Sequence, residues 1–486
     1  MIRQSSPTPR WLTGSIVLAA TLAAGCAVGP NHEAPEVKAP TAHRGDKQAS
    51  ATSLADLPWW EVYRDPALFA LLKEATEKSI DLRIALARVE IARQAHRAQV
   101  WQLAPTFGIS GGVGDHLGQS SVPSVYPPVQ TNGAWGMGAT ASWEPDVWGR
   151  LRRLTQVQLH SLEAAEEDRR GVYITLVGDV AELYFNLIAT DLQKTYAEEA
   201  VATRRETLQL FESRSLGGVG NDLEVTRARA ALNSAEASLA QVDFAIAQGE
   251  NGLSLLLARI PGDIERQSSI EALGAPPEVP AGMPSTLLKR RPDIRAAEKR
   301  LLAANAQIGA ELADYFPSFQ LTGFMGVASP DLSEASFVRG GAGLFNWTVP
   351  FLGGERVQAE HKAAIARWEE ATAQYERTVL NAFREVADSL ASIHALRARR
   401  LALDTQLISL EDAERLSVER YQGGVANYLD ILTAQEELLT TQLSIAQVKG
   451  QEQSAVARLY RNLGGGWVLP PEDDEEDKDD AEKKAE

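Results

Sequence analysis

The sequence predicts an α+β membrane protein with an internal duplication, in which short strands accompany helices far longer than a compact domain uses. Three observations carry this. Asp81-Leu82-Arg83 recurs as Asp293-Ile294-Arg295 and Ala104-Pro105-Thr106-Phe107 as Phe316-Pro317-Ser318-Phe319, both displaced by 212 residues. Arg214-Ser215-Leu216-Gly217-Gly218-Val219-Gly220-Asn221 recurs as Arg420-Tyr421-Gln422-Gly423-Gly424-Val425-Ala426-Asn427, displaced by 206. From Trp148 to Leu216 there is no proline, which permits one helix of roughly 100 Å. A self-similar chain is read by its repeat before any local element.

Each half follows one order: a helix, two short strands, then two long helices meeting at a Gly-Gly turn. In the first half a helix is expected from about Pro66 to Leu103, stopped by Pro105. Strands are expected at Phe107 to Asp115 and Ala134 to Trp143, rich in glycine and aromatics and separated by a Ser/Pro-rich loop. The second half repeats them at Phe319 to Ala328 and Gly340 to Val349. Four strands cannot close a barrel, so several chains must share one. After the turns, Ala228, Leu232, Ala235, Leu239, Val242, Ile246, Gly249 and Leu253 alternate spacings of four and three. Ala434, Leu438, Thr441, Ile445, Val448, Glu452, Ala455 and Leu459 do the same. This is a coiled-coil seam of mostly small residues with one charged interruption, and helix packing is its expected role.

The N-terminus carries Arg3 and Arg10, an apolar stretch from Trp11 to Leu22, and then Ala23-Ala24-Gly25-Cys26, the order of a secretory signal with its cleavage region. Cys26 is the only cysteine, so an intramolecular disulfide or a multi-thiolate metal site is excluded. Its setting resembles the lipobox of bacterial lipoproteins, although Ala23 stands where a larger aliphatic residue is usual. That resemblance implies diacylation of Cys26 as the new N-terminus, and Ala27 in the next position implies sorting to the outer membrane. More than one acyl chain gives stable anchoring, at roughly 0.8 kcal/mol per buried methylene. Beyond the signal no run of about 18 apolar residues is found, so any crossing is expected as a closed β-barrel.

The net charge is −17, of which the tail from Glu472 to Glu486 holds ten acids against three lysines. A solvated, disordered tail accounts for that run, and overall acidity argues against nucleic acid. The glycines at 112, 114 and 118 lack dinucleotide spacing and a βαβ unit. The Gly-Gly turns lack the Gly-Lys-Ser/Thr ending of a phosphate loop, and the seven histidines form no HExxH pair. No enzyme and no cofactor are therefore expected beyond a covalent lipid on Cys26. The reading divides the chain into a signal peptide (1–25), a lipidated N-terminal segment (26–65), a first repeat (66–262), a linker (263–285), a second repeat (286–466) and the acidic tail (467–486).

Several stretches resemble the TolC-like outer-membrane factors, in the lipoprotein branch serving resistance-nodulation-division efflux pumps. They are Pro58-Trp59-Trp60 with Asp65-Pro66, Ser142 through Arg150 (SWEPDVWGR), Leu287 through Arg295 (LLKRRPDIR) and Pro350-Phe351-Leu352-Gly353-Gly354. The resemblance implies a homotrimer in which each chain gives four strands to one outer-membrane barrel of about twelve, continued by a hollow periplasmic α-barrel. It implies a passive export duct whose periplasmic tip is opened by an adaptor protein and supplied by an inner-membrane pump. The alternatives are the outer-membrane component of a type I secretion system and a lipid-anchored periplasmic scaffold. Gly217, Gly218, Asn221, Gly423, Gly424 and Asn427 are expected at the tip turns that receive the adaptor. Asp222, Leu223, Tyr428, Leu429, Asp430 and Thr433 are gate candidates. Asp430 remains open between an acidic constriction that favours cations and a helix-start charge. Trp135, Trp143, Trp148 and Trp347 lie in or beside the strands, as membrane girdle or as ordinary packing.

Overall fold

A computed structural model describes residues 27–30, 40, 65–113, 135–218, 221–266, 269–274, 284–329, 338–348 and 354–465. Its elements in chain order are α1 (Pro66–Lys78), α2 (Ile80–Trp101), β1 (Thr106–Val113), β2 (Trp135–Trp143), α3 (Arg150–Leu216) and α4 (Asp222–Leu256). The second half has α5 (Pro284–Arg290), α6 (Pro292–Ala313), β3 (Ser318–Ser329), β4 (Val338–Thr348), α7 (Gly354–Gln422) and α8 (Tyr428–Asn462). Helix α3 has 67 residues and α7 has 69, while α4 and α8 each have 35.

The single helix expected from Pro66 to Leu103 is two helices. Ser79 has an extended ψ of 130° and ends α1 by donating its N–H to Ala75 O at 2.9 Å. Its Oγ then accepts Leu82 N–H at 3.4 Å, so the same serine begins α2. The break is duplicated: Arg291, 212 positions later, separates α5 from α6, with Pro292 as the first residue of the new helix. The stretch 263–285, expected as a linker, sends Ile264 and Ile270 into the core.

The chain divides into two compact units that do not follow the repeats. One combines Met1–Val37, Ala87–Glu167 and Ala296–Arg377 and holds the sheet. The other combines Lys38–Leu86, Asp168–Arg295 and Thr378–Glu486 and holds the main apolar core. Each unit therefore takes chain from both halves.

In the sheet-bearing unit, β1-β2-β3-β4 form one antiparallel meander with β1 and β4 as its edges. The register places Phe107, Ile109, Met137, Trp143, Leu321, Met325, Phe345 and Trp347 on one face. Thr106, Thr140, Ser142, Gln320, Thr322, Asn346 and Thr348 share the other. The apolar side chains are not covered: Phe107 is 81 % exposed, Ile109 82 %, Met325 72 % and Trp347 66 %. The second face also carries Phe324 and Leu344 by register, but an open apolar face opposite a mainly polar one is the pattern of a membrane barrel wall rather than a folded core. The tryptophans divide accordingly. Trp143 and Trp148 donate their indole N–H groups to Leu103 O and Pro317 O at 3.0 and 2.9 Å, and Trp148 stacks on Phe316 at 4.6 Å. These two lock the strand roots, whereas Trp347 is exposed on the apolar face; the side chain of Trp135 lies outside the described residues.

In the other unit, the expected seams are the packed stripes. Ala228, Leu232, Ala235, Val242 and Leu253 of α4 are buried, as are Ala434, Thr441, Ile445, Val448, Glu452, Ala455 and Leu459 of α8. The charged interruption is paired, with Arg400 Nε 2.9 Å from the buried Glu452 carboxylate. At Gly450 a side chain would meet Ala189 Cβ at 2.5 Å, so α8 approaches α3 backbone to backbone. The expectation of no apolar run of membrane length needs correction, because one 18-residue window of α3 qualifies by composition. That window is 67 % buried inside the chain. Its Val177, Val180, Ala181, Tyr184 and Ile188 belong to the main core, so it is a core helix.

The motif residues act as fasteners. Asp65 caps α1 by accepting Ala67 and Leu68 N–H at 2.8 and 3.3 Å, and also accepts the buried Tyr184 hydroxyl at 2.8 Å. Arg291 of the LLKRRPDIR stretch grips Asp293 with Nε and Nη2 at 3.0 and 2.7 Å, Glu385 at 2.7 Å, and the α8-terminal Asn462 O at 2.9 Å. Asp146 of the SWEPDVWGR stretch accepts the backbone N–H groups of Leu151 and Arg152 at 3.0 and 2.9 Å, capping α3.

Two outcomes are expected. Ile109→Arg should block membrane insertion, since a charge on a lipid-facing strand costs about 2–4 kcal/mol at mid-membrane, whereas Thr140→Arg should insert and change conductance; fractionation and bilayer recording test the pair. Gly450→Leu should lower stability by about 1–3 kcal/mol through overpacking, read as a lowered denaturation midpoint.

Candidate functional site

The two Gly-Gly turns join α3 to α4 and α7 to α8, both inside the core-bearing unit. The second is a complete Schellman ending. Val425 N–H reaches Arg420 O and Gly424 N–H reaches Tyr421 O, both at 3.0 Å, with Gly424 at φ +74°. The first turn shares its geometry: Gly218 has φ +76° and bonds Ser215 O at 3.0 Å, and residues 219–220 lie outside the described set. A Cβ at Gly218 or Gly424 would meet nothing within 4 Å. Backbone conformation alone therefore demands these glycines, while Gly217 and Gly423 still make bonds of a helix end, to Ser213 O and Glu419 O at 3.0 Å.

Asn221 and Asn427 cap the following helices, accepting Leu223 and Leu429 N–H at 2.9 and 3.2 Å. The third residue of each helix then differs. Asp430 accepts Asn427 N–H at 3.3 Å and completes a capping box, the helix-start role for this carboxylate. Its counterpart Glu224 instead accepts the Tyr421 hydroxyl at 3.3 Å, and Tyr421 accepts Arg214 Nη1 at 3.1 Å. This chain of bonds ties the first hairpin, through Arg214 and Glu224, to the second, through Tyr421. Sequence reading missed it because the separation of 207 positions between Arg214 and Tyr421 hides the pairing.

Packing reinforces the tie. Phe211, Tyr421 and Tyr428 form an aromatic triad with Phe211 and Tyr428 centroids 4.3 Å apart, closed by Ala228 and Ile431. Tyr428, a gate candidate by sequence, is only 2 % exposed, so its side chain works inside this cluster rather than at a surface. Burial raises the Tyr428 phenol to about 12, so it stays neutral. Leu223 and Leu429, 206 positions apart, are both exposed just past their caps. Asp222 accepts Ser215 Oγ at 3.2 Å, and the exposed Thr433 donates to Leu429 O at 3.0 Å. Cys26 lies outside the described residues.

Elsewhere, a cleft of about 560 Å³ beside Arg291 is lined by Arg384, Asp388, Arg458 and Arg461. Its charges are already matched by Arg384–Asp388, Arg458–Glu182 and Arg461–Asp179 pairs at 3.3, 2.9 and 2.8 Å. Among the described residues no cluster of three His, Cys, Asp or Glu could hold a metal ion.

The sequence pattern of the family described as outer membrane efflux protein matches residues 71–259 and again 283–465. The chain belongs to that family. The doubled match coincides with the internal duplication. Among relatives, the solvent efflux pump outer membrane protein SrpC of Pseudomonas putida is 36 % identical over 468 residues, covering 92 % of this chain and 96 % of its own. The cation efflux system protein CusC of Escherichia coli is 31 % identical over 454 residues, covering 91 % and 96 %. Among solved structures, the outer-membrane channel OprN superposes with a TM-score of 0.80 at 28 % identity, covering 91 % of this chain and all of its own. The open state of the Neisseria gonorrhoeae MtrE channel gives 0.79 at 29 % identity, covering 91 % and 99 %. The chain is thus an outer-membrane efflux channel component with the TolC-like α+β fold, a transport protein and not an enzyme.

Gly424→Val should destabilise the second turn by about 1–2 kcal/mol, the left-handed penalty for a residue with a Cβ, and Gly423→Ala by less. Hydrogen exchange at the amides of Val425 and Leu429 reads the difference.

Proposed function

We propose that three copies pair the free β1 edge of one chain with the free β4 edge of the next, making a twelve-stranded barrel continued by a hollow helical duct. The observation that carries this is the open four-stranded sheet with its exposed apolar face. In hydrocarbon an unpaired strand edge leaves backbone N–H and C=O groups without partners, each costing several kcal/mol. Closure by further copies removes that cost.

In this reading the duplicated turns form the periplasmic tip, where a periplasmic adaptor protein docks and an inner-membrane resistance-nodulation-division pump delivers cargo. Leu223 and Leu429 offer the adaptor matched apolar contacts, and Gly217, Gly218, Gly423 and Gly424 let it come close to the backbone. The Arg214–Tyr421–Glu224 tie and the aromatic triad hold the two hairpins of each chain in the resting arrangement. Adaptor binding favours an arrangement in which these bonds are broken, a population shift driven by differential affinity. Cargo choice is assigned to the pump, since relatives of nearly the same span carry names for solvent and for cation efflux. Cys26 is assigned a diacyl anchor in the outer membrane.

Single-channel recording in planar bilayers tests the duct. Tyr421→Phe keeps the ring packing and removes both hydroxyl bonds, so its open probability should exceed that of the parent. A folded, membrane-inserted protein that never conducts, with Tyr421→Phe equally silent, would overturn the reading. Cys26→Ala should abolish incorporation of a fatty-acid analogue, and persistent labelling would remove the anchor from Cys26.

A further inference from the structure

Residues Ala27–Pro30 are seated in a groove built for their backbone within the sheet-bearing unit. Val28 donates its N–H to Trp148 O at 3.1 Å and accepts from Arg153 Nε at 3.1 Å. Gly29 O accepts Arg153 Nη2 at 3.3 Å, and Pro30 O accepts Asn305 Nδ2 at 3.2 Å. Arg153 is 9 % exposed and Asn305 7 %, so two nearly buried polar side chains are committed to main-chain atoms of a terminal segment. The groove walls admit no side chain. A Cβ on Gly149 would lie 2.6 Å from Ala27 Cα, one on Gly309 2.9 Å from Val28 O, and one on Gly29 2.5 Å from Gly309 Cα.

The groove sits at the strand roots. Gly149 follows the last residue of β2 by six positions and Gly309 precedes the first residue of β3 by nine. Its walls come one from each repeat, so the terminal segment also bridges the two halves. Cys26 is the residue before Ala27, and consecutive Cα atoms are about 3.8 Å apart, so an acyl group on it has no free tether.

We propose that Ala27–Pro30 act as a clasp that seats the lipidated N-terminus at the strand roots, so that the acyl chains and the sheet enter the membrane at one fixed place. This rests on acylation of Cys26. The clasp orients the apolar sheet face toward the membrane before the strand edges of neighbouring copies pair, and it thereby speeds barrel assembly.

The full-length protein tests it with two variants. Arg153→Met removes the bonds to Val28 and Gly29. An insertion of ten residues, alanine first and then Gly/Ser, between Cys26 and Ala27 leaves the clasp intact and gives the lipid about 17 Å of reach. Fatty-acid-analogue labelling should persist in both. Amide exchange at Val28 should be slow in the parent and the insertion variant and about tenfold faster in Arg153→Met, as for loss of a hydrogen bond to a charged group. Pulse-chase conversion to the heat-resistant outer-membrane assembly should be several-fold slower in both variants. Fast exchange at Val28 in the parent would overturn the clasp. Parent-like assembly of the labelled insertion variant would overturn its positioning role, even where Arg153→Met fails to fold. Absence of label in the parent itself would instead remove the acylation of Cys26, while the exchange measurement still judges the clasp.

Discussion

A strand in hydrocarbon has no water to satisfy its backbone, and every unpaired edge must find another strand. Here the sheet has four strands, ends at β1 and β4, and leaves Phe107, Ile109, Met325 and Trp347 exposed on one face. Those two facts leave few arrangements open. The sheet cannot remain alone in a membrane, and among the described residues Phe107, Ile109 and Met325 stay exposed rather than packed in a core. The proposed trimer follows from that backbone requirement.

The helices solve a different problem. A helix of 67 or 69 residues presents far more surface than a single chain can bury in one core, so its stabilisation comes from a continuous seam with its neighbours. Small residues at Ala228, Ala235, Ala434 and Ala455 and the close approach at Gly450 bring backbones together along that seam. Where the seam carries a charge, at Glu452, Arg400 matches it. Such a pair adds less to stability than to register, because a displaced carboxylate would be left buried without a partner.

Near-symmetry between the halves makes their differences informative. The caps Asn221 and Asn427 are equivalent, yet the acid that follows is spent differently: Asp430 closes its own capping box, and Glu224 reaches across to Tyr421. One capping acid is therefore closed within its own turn, while the other reaches the neighbouring hairpin at Tyr421. In the proposed duct, this tie between unequal hairpins would be the weak point. The tie is made of half-buried polar contacts that water can replace at small cost, unlike the apolar triad beside it.

Much of this was legible in the sequence, since repeats, proline-free stretches, alternating strands and seam spacing are local patterns set by the 3.6- and 2-residue periods of the backbone. The four strands, the long helices and the glycine turns are of this kind, and the family motifs named the fold. The break at Ser79 was readable in principle, as a serine cap followed by an acid, but the apolar period runs through it and concealed it. Other features arise only when distant segments meet. Arg214 finds Tyr421 across 207 positions, Arg153 finds Val28 across 125, and Tyr428 turns from a surface candidate into a buried ring. Hydrogen bonds and close contacts are decided within a few ångströms and depend on how the chain returns on itself. The sequence alone thus determined what each segment is, and the tertiary structure alone decided which side chains touch.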